Sequence, residues 1–481
     1  MSSAVSLDIL CGMRKNISPW LHQLDKTRAH QTLHNDIETD VVIIGAGIAG
    51  VSSAFHILET TGKRVVLVDG FLMAHGASGH NAGQVVGHFE RGLASLVDEF
   101  GLELAAKGQK EVEGAWNILE SMYTKAKLDI PFFRFTGHSG YTSFPQVQIR
   151  LENNRLRVAG GLEPERLRIA TECAEAHIIS EEYAGLYEIV PAEEIRTSLE
   201  TASTDFIAAT SYKKGCVNSA LFCEKIAHYL LETYRGRFAL YEHTPIHKIV
   251  LRAGSALLDA EKHTIEAGRV VLCTNGFESL RIINENGLAI DTKYHHLVNG
   301  KMGYMSGYLE KFNKPAIAIS YFTDPSISAD NSYFYLTRRL YEYEKGAENN
   351  LVCIGGPDIP IEDTTTYSRD DEFSEEHAEE IDHFVRTVYD TTPNKKIDYQ
   401  FTWHGLMGYT RNGVRLAGPE PKNPILLYNL GCNGVGILTS IFGASKIARH
   451  IRGEKVETSI FDVPHLDAIV RSSVAPTVET V

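Results

Sequence analysis

The sequence predicts an α/β protein of two domains, one of them discontinuous, and three observations carry that prediction. An apolar run, a glycine-rich turn, an amphipathic stretch and a second apolar run follow one another between Thr39 and Gly70. A second strand, glycine turn and helix pattern, PILLYNLGCNGVGILTSIFGASKIARHI, stands near the other end of the chain. Between them, 294–356 alternates apolar and polar residues in HHLVNGKMGYMSGY, NSYFYLTRRL and NLVCIGG, the period of antiparallel strands.

Each element follows from its residues in order. Residues 1–37 are polar and His-rich and read as an arm lying on the body of the protein. DVVIIG is a buried strand, GVSSAFHILETTG an amphipathic helix closed by a glycine cap, and RVVLVDG a second strand: a β–α–β unit. The stretch 91–127 has the spacing of a long helix or a helical pair. Strand-like and helix-like stretches alternate over 130–215, and SALFCEKIAHYLLETY is a long helix. FALYEH, HKIVLRAG, ALLDAEKHTIEA and RVVLCTNG read as strands, and the tail after Asp462 as frayed.

Composition narrows the function. At 481 residues and 43% hydrophobic, the chain exceeds what one core usually holds and can bury a large ligand. A formal charge of -14 without a Lys/Arg run argues against nucleic acid as a partner. Seven cysteines (11, 173, 216, 223, 273, 353 and 432) form no CxxC pair and are odd in number, which argues against a disulfide framework and for a reducing, cytoplasmic home. The N-terminus does not read as a signal peptide, and no apolar run of 18 or more predicts a membrane span. No metal site is predicted, because His295 and His296 have no third ligand at suitable spacing.

The motifs carry the chemistry. Gly45, Gly47 and Gly50 form GAGIAG after a strand and at the mouth of a helix, with Asp69 at the end of the next strand. The first glycine makes the turn, the second admits a pyrophosphate, the third lets helix and strand pack, and the acid holds a ribose hydroxyl. This predicts a Rossmann-like dinucleotide site and leaves FAD and NAD both open, although an acid at 69 argues against a 2′-phosphate. The C-terminal GCNGVGILTSIFG favours a flavin: a second helix N-terminus would stabilise the negative charge that reduction leaves on the ring. GASGHNAGQ, Gly76 to Gln84, is a poor helix and a poor strand, and reads as backbone that wraps a cofactor.

With DVVIIGAGIAGVSSA, GASGHNAGQ, RVVLCTNG, GLMGYTRNGVRLAG and GCNGVGILTS in this order, the chain resembles the D-amino-acid oxidase superfamily of FAD-dependent oxidoreductases over 38–455. It is most similar to the branch that includes gamma-glutamylputrescine oxidase, matching it at ISPWL (17–21), Ser78, Asn81, Gly83, Gln84 and Thr439. The resemblance implies a discontinuous FAD-binding domain (38–94, 216–280 and 404–455), a substrate domain with a mainly antiparallel sheet (95–215 and 281–403), an arm (1–37) and a tail (456–481). It implies that Gly45, Gly47, Ile48, Ala49 and Gly50 take the pyrophosphate, Asp69 the ribose and the Ile246 backbone the adenine. Ser78, His80, Asn81, Ala82, Gly83 and Gln84 would line the pyrophosphate, ribityl chain and flavin, with Gly405, Gly434, Val435, Gly436 and Ile437 closing over the ring.

Departures from the family sharpen the expectations. His80 stands where some relatives carry a histidine bonded to the flavin; non-covalent FAD is expected, with a link through His80 as the alternative. Leu438 stands where sarcosine oxidases place a lysine for the substrate carboxylate, and Asn412 to Arg415 replace a common Asp-Gly-x-Pro. Substrate-side candidates are His295, Lys301, Tyr333, Tyr335, Arg338 and His404, with alternation placing Tyr333 and Tyr335 on one face and Arg338 on the other. The expected reaction is hydride transfer from the α-carbon of a small amine or amino-acid derivative to flavin N5, giving an imine that hydrolyses. Oxygen or a separate electron-transfer partner would reoxidise the flavin. The alternatives are an amine dehydrogenase feeding a flavoprotein or quinone, and a non-catalytic flavin-binding subunit.

Overall fold

The strand Ile37–Ile44 runs into the GAGIAG turn, and the helix Ile48–Thr60 leaves it, returning the chain to the parallel strand Val65–Val68. The structure, a computed structural model, describes residues 16–277, 279–290, 298–311, 313–325, 333–392 and 396–463. The helix closes at Thr61, whose N–H and hydroxyl both donate to the Ile57 carbonyl (2.9 and 2.6 Å); the glycine cap expected at Gly62 is not used.

Nine strands form the first sheet, in the order Arg281–Asn284, Lys248–Leu251, Ala256–Ala260, His263–Leu272, Ile37–Ile44, Val65–Val68, Phe238–Tyr241, with Asn423–Leu430 pairing His263–Leu272 and Leu416–Glu420 beyond it. Its centre is parallel, with Val42 opposite Val270 and Ile43 opposite Leu67. Both faces are buried, as parallel sheets require. Val41, Ile43 and Leu67 face a core shared with the helices Ile48–Thr60, Ser219–Thr233 and Gly436–Ile451, while Val42, Val68 and Leu272 face a second core.

The second sheet has eleven strands, in the order Ile359–Ile361, Asn299–Lys311, Glu348–Gly355, Phe334–Glu342, Ile317–Phe322, Phe132–Tyr141, Ala208–Val217, Arg166–Ala170, Glu188–Val190. Tyr399–Tyr409 pairs Asn299–Lys311, and Gln84–Val86 pairs Ala208–Val217. Pairing is antiparallel except between Ile317–Phe322 and Phe132–Tyr141 and between Arg166–Ala170 and Glu188–Val190. The stretch 91–127 is a helical pair, Leu93–Phe100 and Leu102–Ala126, broken at Gly101, whose φ of 77° suits glycine.

The described part of the N-terminal segment is tied to the second sheet and to the loop 76–84. Ile17 bridges Thr402, Ser18 caps the short helix Pro19–His22, and the fully buried Trp20 donates its indole N–H to the Asn81 carbonyl. At the other end Phe461 is fully buried against Phe89 and Phe442.

Candidate active site

The strand ends of the first sheet and one face of the second enclose a cavity of about 520 Å³. One half of it is built by glycines. Gly45 has φ 103°, and a Cβ there would lie 2.6 Å from the Cys273 carbonyl oxygen; a Cβ on Gly50 would lie 1.9 Å from the Gly45 oxygen. No side chain of the capping residue and no acid in the first turn closes the helix Ile48–Thr60, so its positive end faces the cavity. The Ser78 hydroxyl accepts the Ile48 N–H (2.9 Å) and holds the next loop against that end.

Asp69 accepts backbone N–H groups from Ala46 and Phe71, both at 2.8 Å, and burial raises its pKa. Arg369 reaches the same wall from a segment outside the first sheet. Its guanidinium lies 4.4 Å from the centre of the Phe71 ring, and its Nη1 is buried without a hydrogen-bond partner. A guanidinium with an unsatisfied buried Nη1, a helix N-terminus free of acids and glycines that exclude a Cβ, all on one cavity, fit the pyrophosphate of a dinucleotide.

The loop 76–84 is held by its own polar groups. The Asn81 amide donates to the carbonyls of Ala77 and Ser78 (both 3.0 Å) and to the Ser219 hydroxyl (2.7 Å), and its Oδ1 accepts the Gly83 N–H (2.7 Å). The Gln84 amide donates to the Leu336 carbonyl (3.1 Å), joining the loop to the second sheet. His80 Nδ1 lies 3.0 Å from the Gly76 carbonyl, so it carries the proton and leaves Nε2 as an acceptor. Burial lowers its pKa to about 4, with the charges of Arg369, His75 and His404 acting in the same direction, so the ring is neutral at pH 7.

The opposite half is lined from the second sheet. Tyr333 and Tyr335 face the cavity with ring centres 5.7 Å apart. The Tyr333 hydroxyl donates to Glu90 Oε1 (2.8 Å) and the Tyr335 hydroxyl to Asp358 Oδ1 (3.2 Å). Burial pushes Glu90 up to about 7, and Asp358 adds to the rise while Tyr333, Lys214 and Lys301 oppose it. Burial pushes Asp358 up to about 6, against Tyr335 and Lys301. Lys214 is buried in the same wall, lowered to about 7 by burial, and donates to the Ser320 hydroxyl (3.2 Å).

Most of the residues expected at the cofactor line this one cavity: Asp69, Ser78 and His80 in its first half, Gly405 and Gly434 to Ile437 at its centre. Gly50 packs behind Gly45, and the Ile246 side chain lies in the second core. Among the substrate-side candidates, Tyr333 and Tyr335 line the cavity and Arg338 does not. Strand alternation turns Arg338 to the far face, where it pairs with Glu200 and donates to the Tyr389 hydroxyl (2.8 Å) and the Pro315 carbonyl (3.0 Å). His404 is likewise turned away, its Nε2 3.0 Å from the Asp371 carbonyl. Lys301 sits 4.9 Å from the centre of the Tyr409 ring, acting on both carboxyls through its charge. His295 lies outside the described residues.

Sequence reasoning missed Glu90, Asp358, Lys214 and Arg369. Lys214 had a signal: it shares the phase of Tyr212 and Cys216 on the strand Ala208–Val217, and a charge at an inward position marks a site. Arg415, in the loop that departs from the family pattern, forks onto the Asn429 and Gly431 carbonyls (2.8 and 3.1 Å) and so anchors the glycine turn. Leu438 is fully buried in the first core.

Known proteins extend this geometry. The chain is 22% identical over 427 residues to the probable oxidoreductase OrdL of Haemophilus influenzae, covering 88% of this chain and 85% of that one. Over 81 residues, 17% of this chain and 19% of the other, it is 35% identical to the gamma-glutamylputrescine oxidoreductase of Escherichia coli. Its fold is similar to that of glycine oxidase from Geobacillus kaustophilus, with a TM-score of 0.66 at 16% identity, covering 89% of this chain and 99% of that one. The pattern of the DAO family, described as FAD dependent oxidoreductase, matches residues 40–450, and the chain belongs to that family.

Proposed function

We propose that this FAD-dependent oxidoreductase oxidises a C–N bond of a small amine or amino-acid derivative to an imine, which water hydrolyses to a carbonyl compound and a smaller amine. The observation that carries the reading is continuity. One cavity joins the helix N-terminus and glycine cradle to a wall of phenols and carboxyls, so a cofactor and a small polar molecule would meet inside it. The stretch similar to gamma-glutamylputrescine oxidoreductase supports an amine as that molecule.

When bound, FAD supplies a two-electron acceptor at N5. The chain does the rest. A Cβ on Gly405 would lie 2.5 Å from the His80 oxygen, so glycine there lets the loop 76–84 pack directly against the strand Tyr399–Tyr409. Tyr333 and Tyr335 orient the two carboxyls. His80, neutral and hydrogen-bonded within its own loop, serves non-covalent FAD as an acceptor, and acid precipitation should release the flavin into the supernatant. The six described cysteines are unpaired, in keeping with a reducing cytoplasm.

The test is product analysis. Incubation with gamma-glutamylputrescine, sarcosine, glycine, D-alanine or L-proline should yield a carbonyl compound from at least one, trapped as its hydrazone. Yield that depends on air identifies oxygen as acceptor, and yield that requires an added dye identifies a separate partner. No carbonyl product from any amine, with turnover of a hydroxy acid instead, would refute the reading.

A further inference from the structure

Two carboxyls line one wall of the cavity, Glu90 open to it and Asp358 half-buried, and each is held by a phenol. Glu90 and Asp358 come from segments far apart in sequence, yet each is held by a phenol from the same face of one strand end, Tyr333 and Tyr335. The charges of Lys214 and Lys301 oppose the rise at Glu90, and that of Lys301 opposes the rise at Asp358. Two carboxyls that line one cavity wall and disfavour each other's ionised form would both be relieved by a ligand cation between them.

Their position ties them to the reacting end of the cavity. A Cβ on Gly434, at the N-terminal end of the helix Gly436–Ile451, would lie 2.8 Å from Glu90 Oε1 and 2.6 Å from the Tyr409 hydroxyl. A Cβ on Gly303 would lie 3.0 Å from Asp358 Oδ1 and 3.3 Å from the Tyr335 hydroxyl. The carboxyls therefore pack against two glycines that line the same cavity. Its flanking surface is phenol, the type of wall that receives alkylammonium groups.

We propose that Glu90 and Asp358, oriented by Tyr333 and Tyr335, form the subsite for the ammonium group of a primary or secondary aliphatic amine, and that Glu90 takes the ammonium proton. The inference rests on the amine reading above. In the transfer one N–H bond breaks and one O–H bond forms on Glu90; the electron pair stays on nitrogen, and the amine is left neutral for oxidation. The groups facing Glu90 are Tyr333, Tyr409, Asp358, Lys214 and Lys301, and no oxidant takes part in this step.

The sign of the pH dependence follows. The seat binds a cation only when the carboxyls are ionised, so affinity should be low below about pH 6, rise through about pH 7 and level off while the amine stays protonated. A substrate carboxylate is not needed for binding.

The probe is tert-butylamine, whose nitrogen-bearing carbon has no hydrogen to lose, with tert-butanol as a neutral match of the same shape. Binding to the FAD-loaded protein is read from the change in flavin absorbance. The amine should bind wild type at pH 8 at least about tenfold tighter than the alcohol, and Glu90→Gln or Asp358→Asn should each lose about tenfold while alcohol binding and flavin content hold. Glu90→Gln should also flatten the rise with pH. Equal binding of amine and alcohol by wild type, which needs no variant, would overturn the proposal, as would variants that keep amine affinity within about twofold. Carbonyl product from an amine would in that case leave the reaction class standing and remove only this subsite.

Discussion

At the scale of the residue, the site is a set of polar groups with an incomplete set of partners. Arg369 is the plainest, with a buried Nη1 that nothing satisfies and a place on the wall shared with Asp69 and the Ile48–Thr60 helix end. Arg369→Met should weaken FAD by about tenfold or more, as expected for a charge-assisted hydrogen bond of about 1.5–3 kcal/mol, and should flatten the salt dependence of binding, read by flavin fluorescence titration of the apoprotein. Arg338 provides the contrast. Arg338→Met would strand Glu200 and cost about 3 kcal/mol of stability in denaturant unfolding, yet leave FAD affinity unchanged, because the pair lies on the far face of the strand. His80 should titrate near 4 by NMR rather than at its ordinary value of 6.5. Since folding lowers that pKa, its contribution to stability is complete above 6.5 and is lost as pH falls towards 4.

At the scale of the element, the arm and the loop 76–84 form one unit. Trp20 donates to Asn81, and a Cβ on Gly83 would lie 2.7 Å from its ring, so the indole supports the loop from below. Trp20→Ala should cost about 3–5 kcal/mol and speed FAD release, measured by thermal unfolding and by dilution of the loaded protein. The same scale explains what the sequence could show. The cofactor elements are local: GAGIAG, the helix behind it and Asp69 fall within one β–α–β unit, whose periods are visible residue by residue. The opposite wall of the cavity is not local. Glu90, Lys214, Tyr333 and Asp358 meet only because Gln84–Val86, Ala208–Val217 and Phe334–Glu342 lie in one sheet, and strand order is not written in periodicity. Arg369 sits in an irregular segment, where no period reveals which way a side chain turns. His404 and Arg338 were legible as strand residues, but choosing the face toward the cofactor required the partner strand.

At the scale of the whole molecule, two sheets with different strand chemistry enclose one cavity. The parallel sheet presents helix N-termini and glycines, which suit phosphate and a flat ring. The antiparallel sheet presents alternating side chains, so one face can be polar toward the cavity while the other packs Tyr308, Leu336 and Ile354 into a core. Loop 76–84 crosses between them through Gln84, and the segment carrying Arg369 reaches across to the nucleotide wall. Among the described residues no helix is long and apolar enough to cross a membrane. The measurement to make first is an anaerobic absorbance titration of the FAD-loaded protein with the amine panel and with alcohols of matching shape. Bleaching of the flavin by at least one amine and by none of the alcohols is the expected result. A flavin bleached by an alcohol or hydroxy acid and untouched by every amine, or a protein that takes up no FAD at all, would contradict it.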